Sequence, residues 1–120
     1  MGGMSPTQPP ASKLPHHTLV GYQLCLELVK LIARTRIGDA QLRQQARKSA
    51  ASAALNAAEG AARQSLGEKR RCYTIALGEA CEACAAVEIA AALGACAAAD
   101  VETVLSHCLH IRRVFYPLVR

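Results

Sequence analysis

Aromatic residues are scarce in this chain: three Tyr, one Phe and no Trp among 120 residues. All-β domains draw on aromatic and β-branched side chains, so a sandwich or barrel is excluded. Long apolar runs are also missing. The longest uncharged stretch, Leu14 to Leu26, is 13 residues long and contains a Pro and two His. A membrane span needs about 20 apolar residues, so no membrane partner is expected. No apolar segment of the signal-peptide kind follows the N-terminus,. Six Cys without such a segment fit a cytoplasmic, reducing setting in which thiols stay free. Most of them read as small buried apolar residues.

What the chain has in quantity is Ala, 24 residues of it, within a hydrophobic share of 52%. That share excludes a wholly disordered chain. Ala is the best helix former, so the composition points to an all-α protein with close helix contacts. The length allows a single domain.

The net charge is +5, and its position says more than its size. Between Arg34 and Arg71 stand nine basic residues against three acidic ones, so the basicity belongs to the middle of the chain. Such a balance suits an anionic partner.

Met1 to Pro15 holds four of the five Pro and reads as a disordered tail. Residues 16–120 read as a four-helix bundle. The first helix is expected over His16 to Arg36, with Gln23, Glu27, Lys30 and Arg34 as one narrow polar stripe,. Its apolar arc is wider than one side of a small bundle needs, so it is either central or partnered in another subunit. Asp39 suits the cap of a second helix over Ala40 to Ala62,. That helix has only Leu42 and Leu55 as large apolar residues. Gln45, Ser49, Ser52, Asn56, Glu59 and Arg63 recur on it at helical spacing,. Spacing alone leaves open whether this stripe is a solvated face or an inner network.

Ser65 to Glu68 matches a capping box,. It opens a third helix that ends at Leu93, with Gly94 beyond it. Ile75, Gly78, Glu82, Ala85 and Ile89 share one face of that helix, which would place Glu82 among small and apolar neighbours. Asp100 suits the cap of a fourth helix to Tyr116, with Val101, Val104, Leu105, Cys108, Ile111, Phe115 and Leu118 as its apolar face. Pro117 disfavours continuation. Four helices with short connections imply an antiparallel up-down-up-down bundle.

Two segments carry a family signature. One is Leu42-Arg43-Gln44-Gln45, then Ser49, Ser52, Asn56-Ala57-Ala58-Glu59-Gly60 and Arg63. The other is Glu68-Lys69-Arg70-Arg71-Cys72-Tyr73-Thr74-Ile75-Ala76-Leu77-Gly78, with Glu82 and Leu93-Gly94 following. Over His16 to Arg120 the chain resembles the bacterial four-helix-bundle family of 23S rRNA intervening-sequence proteins. That family includes the accessory variability protein of diversity-generating retroelements.

The resemblance implies a bundle assembling into a ring, a homo-oligomer and more narrowly a homopentamer. It also implies nucleic acid (RNA or RNA/DNA) as a partner, with a reverse transcriptase as a further one, and no catalytic activity. It favours the inner-network alternative for Ser49, Ser52, Asn56, Glu59 and Glu82, in a structural role. The chain departs from the family pattern at Glu79, where members usually carry Ser. It departs also at Ala53, Ala57 and Ala85, where larger aliphatics are usual.

The basic residues are the best functional lead. In the expected bundle Arg63, Lys69, Arg70, Arg71, Arg112, Arg113 and Arg120 gather at one pole, while Arg34, Arg36, Arg43, Arg47 and Lys48 gather at the other. Phosphate binding is electrostatic and asks for clusters of this kind. Of these, Arg43, Arg47, Lys48, Arg63, Lys69, Arg70, Arg71, Arg112 and Arg113 are the binding candidates. The competing reading is a soluble structural or protein-interaction bundle whose cations are spread out and paired with acids.

No cofactor, metal or catalytic residue is expected. Cys81-Glu82-Ala83-Cys84 is a lone CxxC inside a helix, whereas redox pairs sit at a helix N-terminus and zinc wants a second ligand pair. His107 and His110 read as an exposed or rim pair. Glu79 and Glu82 read as a face that meets basic residues.

Overall fold

Asp39 and Ser65 set two of the four helix starts. The Asp39 carboxylate accepts from the Leu42 N–H at 2.9 Å, and Ser65 Oγ accepts from the Glu68 N–H at 3.1 Å. Each satisfies a donor that a helix leaves unpaired at its N-terminus. The Glu68 carboxylate turns back to accept from the Ser65 hydroxyl at 3.0 Å, where the capping box would have it take the cap's own N–H.

A computed structural model describes residues 13–120. The expected tail falls mainly on residues 1–12, which lie outside the described residues. Four α-helices follow a short 3-10 turn at Pro15–Thr18: α1 Val20–Arg34, α2 Ala40–Ala62, α3 Leu66–Ala92 and α4 Ala98–Val119. No strand occurs among the described residues. Helix α2 has the bounds its cap and spacing predict. Helix α1 is shorter than His16 to Arg36 because Leu19 and Thr35 are extended.

Helix α3 closes in the manner expected of Leu93-Gly94. Gly94 takes a positive φ of 77°, the Gly94 N–H reaches the Ala91 carbonyl at 2.9 Å, and the Ala95 N–H reaches Ala90 at 2.7 Å. This paired closure satisfies the last carbonyls of a helix. The same turn is tied to the α1–α2 connection, where the Gly38 N–H donates to the Ala95 carbonyl at 2.7 Å.

Helix α4 differs from expectation at both ends. Its cap is Ala97, and Asp100 lies within the first turn, where a carboxylate still complements the helix dipole. Pro117 sits inside the helix. So near the end it removes one hydrogen bond, and Val119 packs against the core and holds the last turn,.

The core joins Leu24, Leu28 and Ile32 of α1 to Val104, Ile111 and Phe115 of α4. Helices α2 and α3 contribute mostly Ala: Ala46, Ala50, Ala53 and Ala57, and Ala76, Ala80, Ala83 and Ala90. Without large side chains between them, two backbones approach closely. Gly60 meets Tyr73 and Ser49 meets Glu82 across α2 and α3. Gly21 meets Phe115 and the Leu24 carbonyl meets His107 across α1 and α4. Tyr73 and Phe115 join these corners, with ring centroids 5.6 Å apart.

Several apolar residues expected inside are outside. Leu55 is 71% exposed, Ile89 50%, and Ile75, Leu105 and Leu118 lie at the surface too. The wide apolar arc of α1 is largely absorbed by its own chain: Leu24, Cys25, Leu28, Leu31 and Ile32 are buried, and Tyr22, Leu26 and Val29 half-buried.

Candidate nucleic-acid interface

The basic candidates divide by what they touch. Three are occupied with backbone carbonyls, two of them at helix ends and one in the α1–α2 connection. Arg43 donates to the Ile37 carbonyl at 2.8 Å, Arg47 to the Ala33 carbonyl at 3.4 Å, and Lys69 Nζ to the Gly60 and Ala61 carbonyls at 3.1 and 3.0 Å. A cation on the last carbonyls of a helix complements its dipole. Arg47 and Lys69 therefore fasten the C-termini of α1 and α2, and Arg43 fastens the connection between those helices.

Two more face acids. Arg63 pairs with Glu59 at 2.9 Å and with Glu68 at 3.9 Å, and Arg71 reaches Glu59 at 3.9 Å. The hydrogen bond and charge of Arg63 hold the Glu59 carboxyl below the usual carboxylate range. Cys72 Sγ adds a long contact to Glu59 at 3.7 Å.

Arg70, Arg112 and Arg113 are exposed and make no ion pair among the described residues. Arg112 and Arg120 both stand over the Tyr116 ring, 5.4 and 5.2 Å from its centroid. Tyr116 is itself exposed. Arg113 lines an open groove of ≈ 960 Å³ between α1 and α4, together with Lys30 and Arg34. Glu27 and Glu102 line the same groove, so its surface is of mixed charge.

The polar stripe of α2 lies at the edge of the α2–α3 seam. Ser49 is buried, Ser52 and Asn56 are half-buried, and Glu59 and Arg63 are exposed. Gln45 donates to Ser49 Oγ at 2.9 Å, Ser49 reaches Glu82 at 3.5 Å, and Asn56 bonds back to the Ser52 carbonyl at 2.9 Å. Glu82 is exposed, contrary to its expected burial. Its helix is small-sided all round, and the face that packs is the one bearing Ala76, Ala80, Ala83 and Val87.

Glu79 belongs to the same cluster. Its hydrogen bond and negative charge raise the Glu82 carboxyl above the usual range, while a hydrogen bond from Ser52 and then that with Glu82 lower Glu79. A neighbouring carboxylate disfavours the second negative charge, which is the direction Glu82 shows,. Lys48 faces both, so the expected meeting of this face with basic residues involves one lysine. No buried side-chain N or O is left unpartnered among the described residues.

His110 is exposed, but His107 is half-buried, with Nε2 2.8 Å from the Leu24 carbonyl. It joins α4 to α1 and is not a rim residue. No group of three His, Cys, Asp or Glu with the geometry to hold a metal occurs among the described residues. No helix there is long and apolar enough to cross a membrane.

A family model described as 23S rRNA-intervening sequence protein matches residues 18–116 of the chain. No curated protein matches it.

Proposed function

The chain belongs to the 23S rRNA-intervening sequence protein family, and on that footing we propose that it is a non-enzymatic accessory protein that binds nucleic acid by the phosphate backbone, as a homo-oligomer. The observation that carries this reading is the set of exposed cations that make no ion pair among the described residues: Arg70, Arg112 and Arg113. Arg112 and Arg120 around Tyr116 add an aromatic face to that charge. Backbone recognition needs cations in numbers and tolerates few aromatics.

The paired contacts of α2 with α3 and of α1 with α4 favour an up-down-up-down bundle. Leu55, Ile75, Ile89 and Leu93 are exposed and supply apolar surface for contacts between subunits. A ring, pentameric as the resemblance implies, repeats each cationic cluster and multiplies weak contacts into avidity.

Binding to structured RNA and to duplex DNA across a salt series tests the proposal, with the mass in solution recorded in the same buffer. The expected result is an affinity that falls steeply with salt and is lost in Arg70→Glu with Arg112→Glu. An intact oligomer that binds neither at low salt rejects a direct nucleic-acid role. That outcome leaves an interaction bundle, for which the same exposed apolar residues speak.

A further inference from the structure

Three of the six cysteines meet in the core although they come from three different helices. Cys25 of α1 is fully buried, Cys84 of α3 is 6% exposed and Cys108 of α4 is 7% exposed. Cys108 Sγ lies 3.5 Å from the Ala80 carbonyl, one helical turn before Cys84 on the same face of α3. Cys84 and Cys108 therefore line the same stretch of the α3–α4 seam within one core, and each thiol shifts the other's acidity. The CxxC spacing is not the pair that matters: Cys81 points to solvent, and the partner of Cys84 is on the neighbouring helix.

We propose that Cys84 and Cys108 are an oxidisable dithiol that closes, on reaction with a hydroperoxide, to a disulfide joining α3 to α4 within one chain. The small oxidant is what the burial demands, since a bulky disulfide reagent has no path to either sulfur. Cys84 is the sulfur that reacts first. The hydrogen bond from Cys108 lowers its pKa, whereas Cys108 is raised by that hydrogen bond and by burial, and it is the thiolate that attacks. Cys84 sulfur takes one oxygen from hydrogen peroxide as the O–O bond breaks and water leaves, giving a sulfenic acid. Cys108 sulfur then displaces that oxygen as a second water, and the S–S bond forms. The two thiols lose two electrons and two protons, and the peroxide is reduced to two waters.

Cys25 sits in the same cluster. Burial alone pushes its thiol up to about 12, so it stays protonated and out of the reaction. A disulfide at this seam would hold α4 to α3 where His107 holds it to α1, and a reductant would release it.

The test is peroxide treatment of the full chain, followed by alkylation of remaining thiols and digestion after Glu without reduction. Cleavage at Glu79, Glu82, Glu88 and Glu102 places Cys81, Cys84, Cys96 and Cys108 on separate peptides. The expected product is the Ala83–Glu88 peptide joined to Thr103–Arg120 with the loss of two hydrogens. It should form at the mass of the untreated assembly, with a melting temperature that rises on oxidation and returns with reductant. Cys81→Ser should leave the link intact, and Cys108→Ser should abolish it. Wild-type protein in which Cys84 and Cys108 are both recovered alkylated overturns the proposal, as does a product linked only through Cys81. Neither of those readings depends on a variant folding.

Discussion

Gly60 and Tyr73 leave room for no side chain between them: a Cβ added at Gly60 would lie 2.6 Å from Tyr73 Cε1. Replacing a glycine inside a helix with Ala ordinarily gains about 1 kcal/mol. Here overpacking reverses the sign. Gly60→Ala should cost about 1–3 kcal/mol in urea unfolding, and Tyr73→Leu in the same chain should recover part of it. Gly21→Ala should behave alike, since its Cβ would lie 2.5 Å from the buried Phe115 ring.

Lys69 and Arg70 are adjacent in sequence and opposite in role. Lys69 bonds the last carbonyls of α2, and Arg70 is exposed with no ion pair among the described residues. Lys69→Met should lower unfolding stability by about 1 kcal/mol. Arg70→Gln should leave stability unchanged and weaken binding to RNA. Urea melts and a binding isotherm on the same two proteins separate the roles.

The pH response of Glu59 follows from its pairing with Arg63. A carboxyl whose pKa is depressed in the folded chain contributes stability above its unfolded value, and that stability is lost as pH falls through the folded value. Glu59 should titrate below the usual range by NMR, and Arg63→Ala should return it. In Glu59→Gln the melting temperature should fall less between pH 7 and pH 3 than in the parent.

Glu82 carries the opposite sign. Its pKa is raised, first by the hydrogen bond and then by the charge of Glu79. The stability linked to its protonated form is present below the unfolded value and lost as pH rises through the folded one. Glu82→Gln should therefore melt higher than the parent at pH 7, and the gain should vanish at pH 3. A gain that persists at pH 3 would mean that the glutamine packs better for reasons unrelated to charge.

The starts of α2 and α3 were legible to the residue because Asp39 and Ser65 are their caps and little competes with them. Gly94 was legible because a positive φ leaves few other choices. Glu82 was misplaced for a reason particular to α3. Periodicity finds the inner face by contrast, and a helix with Ala on every side offers none. Asp100 looked like a cap because Asp is a common one, yet it serves equally well in the first turn, and nothing local tells the two apart. The tie between His107 and Leu24 joins residues 83 apart in sequence, a relation that spacing along one helix cannot reveal. The cationic residues were legible as a group. Their division into helix-end clamps, acid-paired and unpaired members depends on which carbonyls and carboxylates the packing brings near.

The alanines that line α2 and α3 have a consequence for how this protein tolerates change. There is nothing left to trim at Ala46, Ala50, Ala53, Ala57, Ala76, Ala80, Ala83 or Ala90. A scan that shortens side chains to Ala passes over these positions without a signal and would under-report what α2 and α3 contribute, α3 showing chiefly through Tyr73 and Val87. Every alanine codon mutates in one step to something larger, more polar, or disruptive of helix. The interior of these two helices can drift only by intrusion, so the harmful substitutions should concentrate at residues that no truncation experiment would single out.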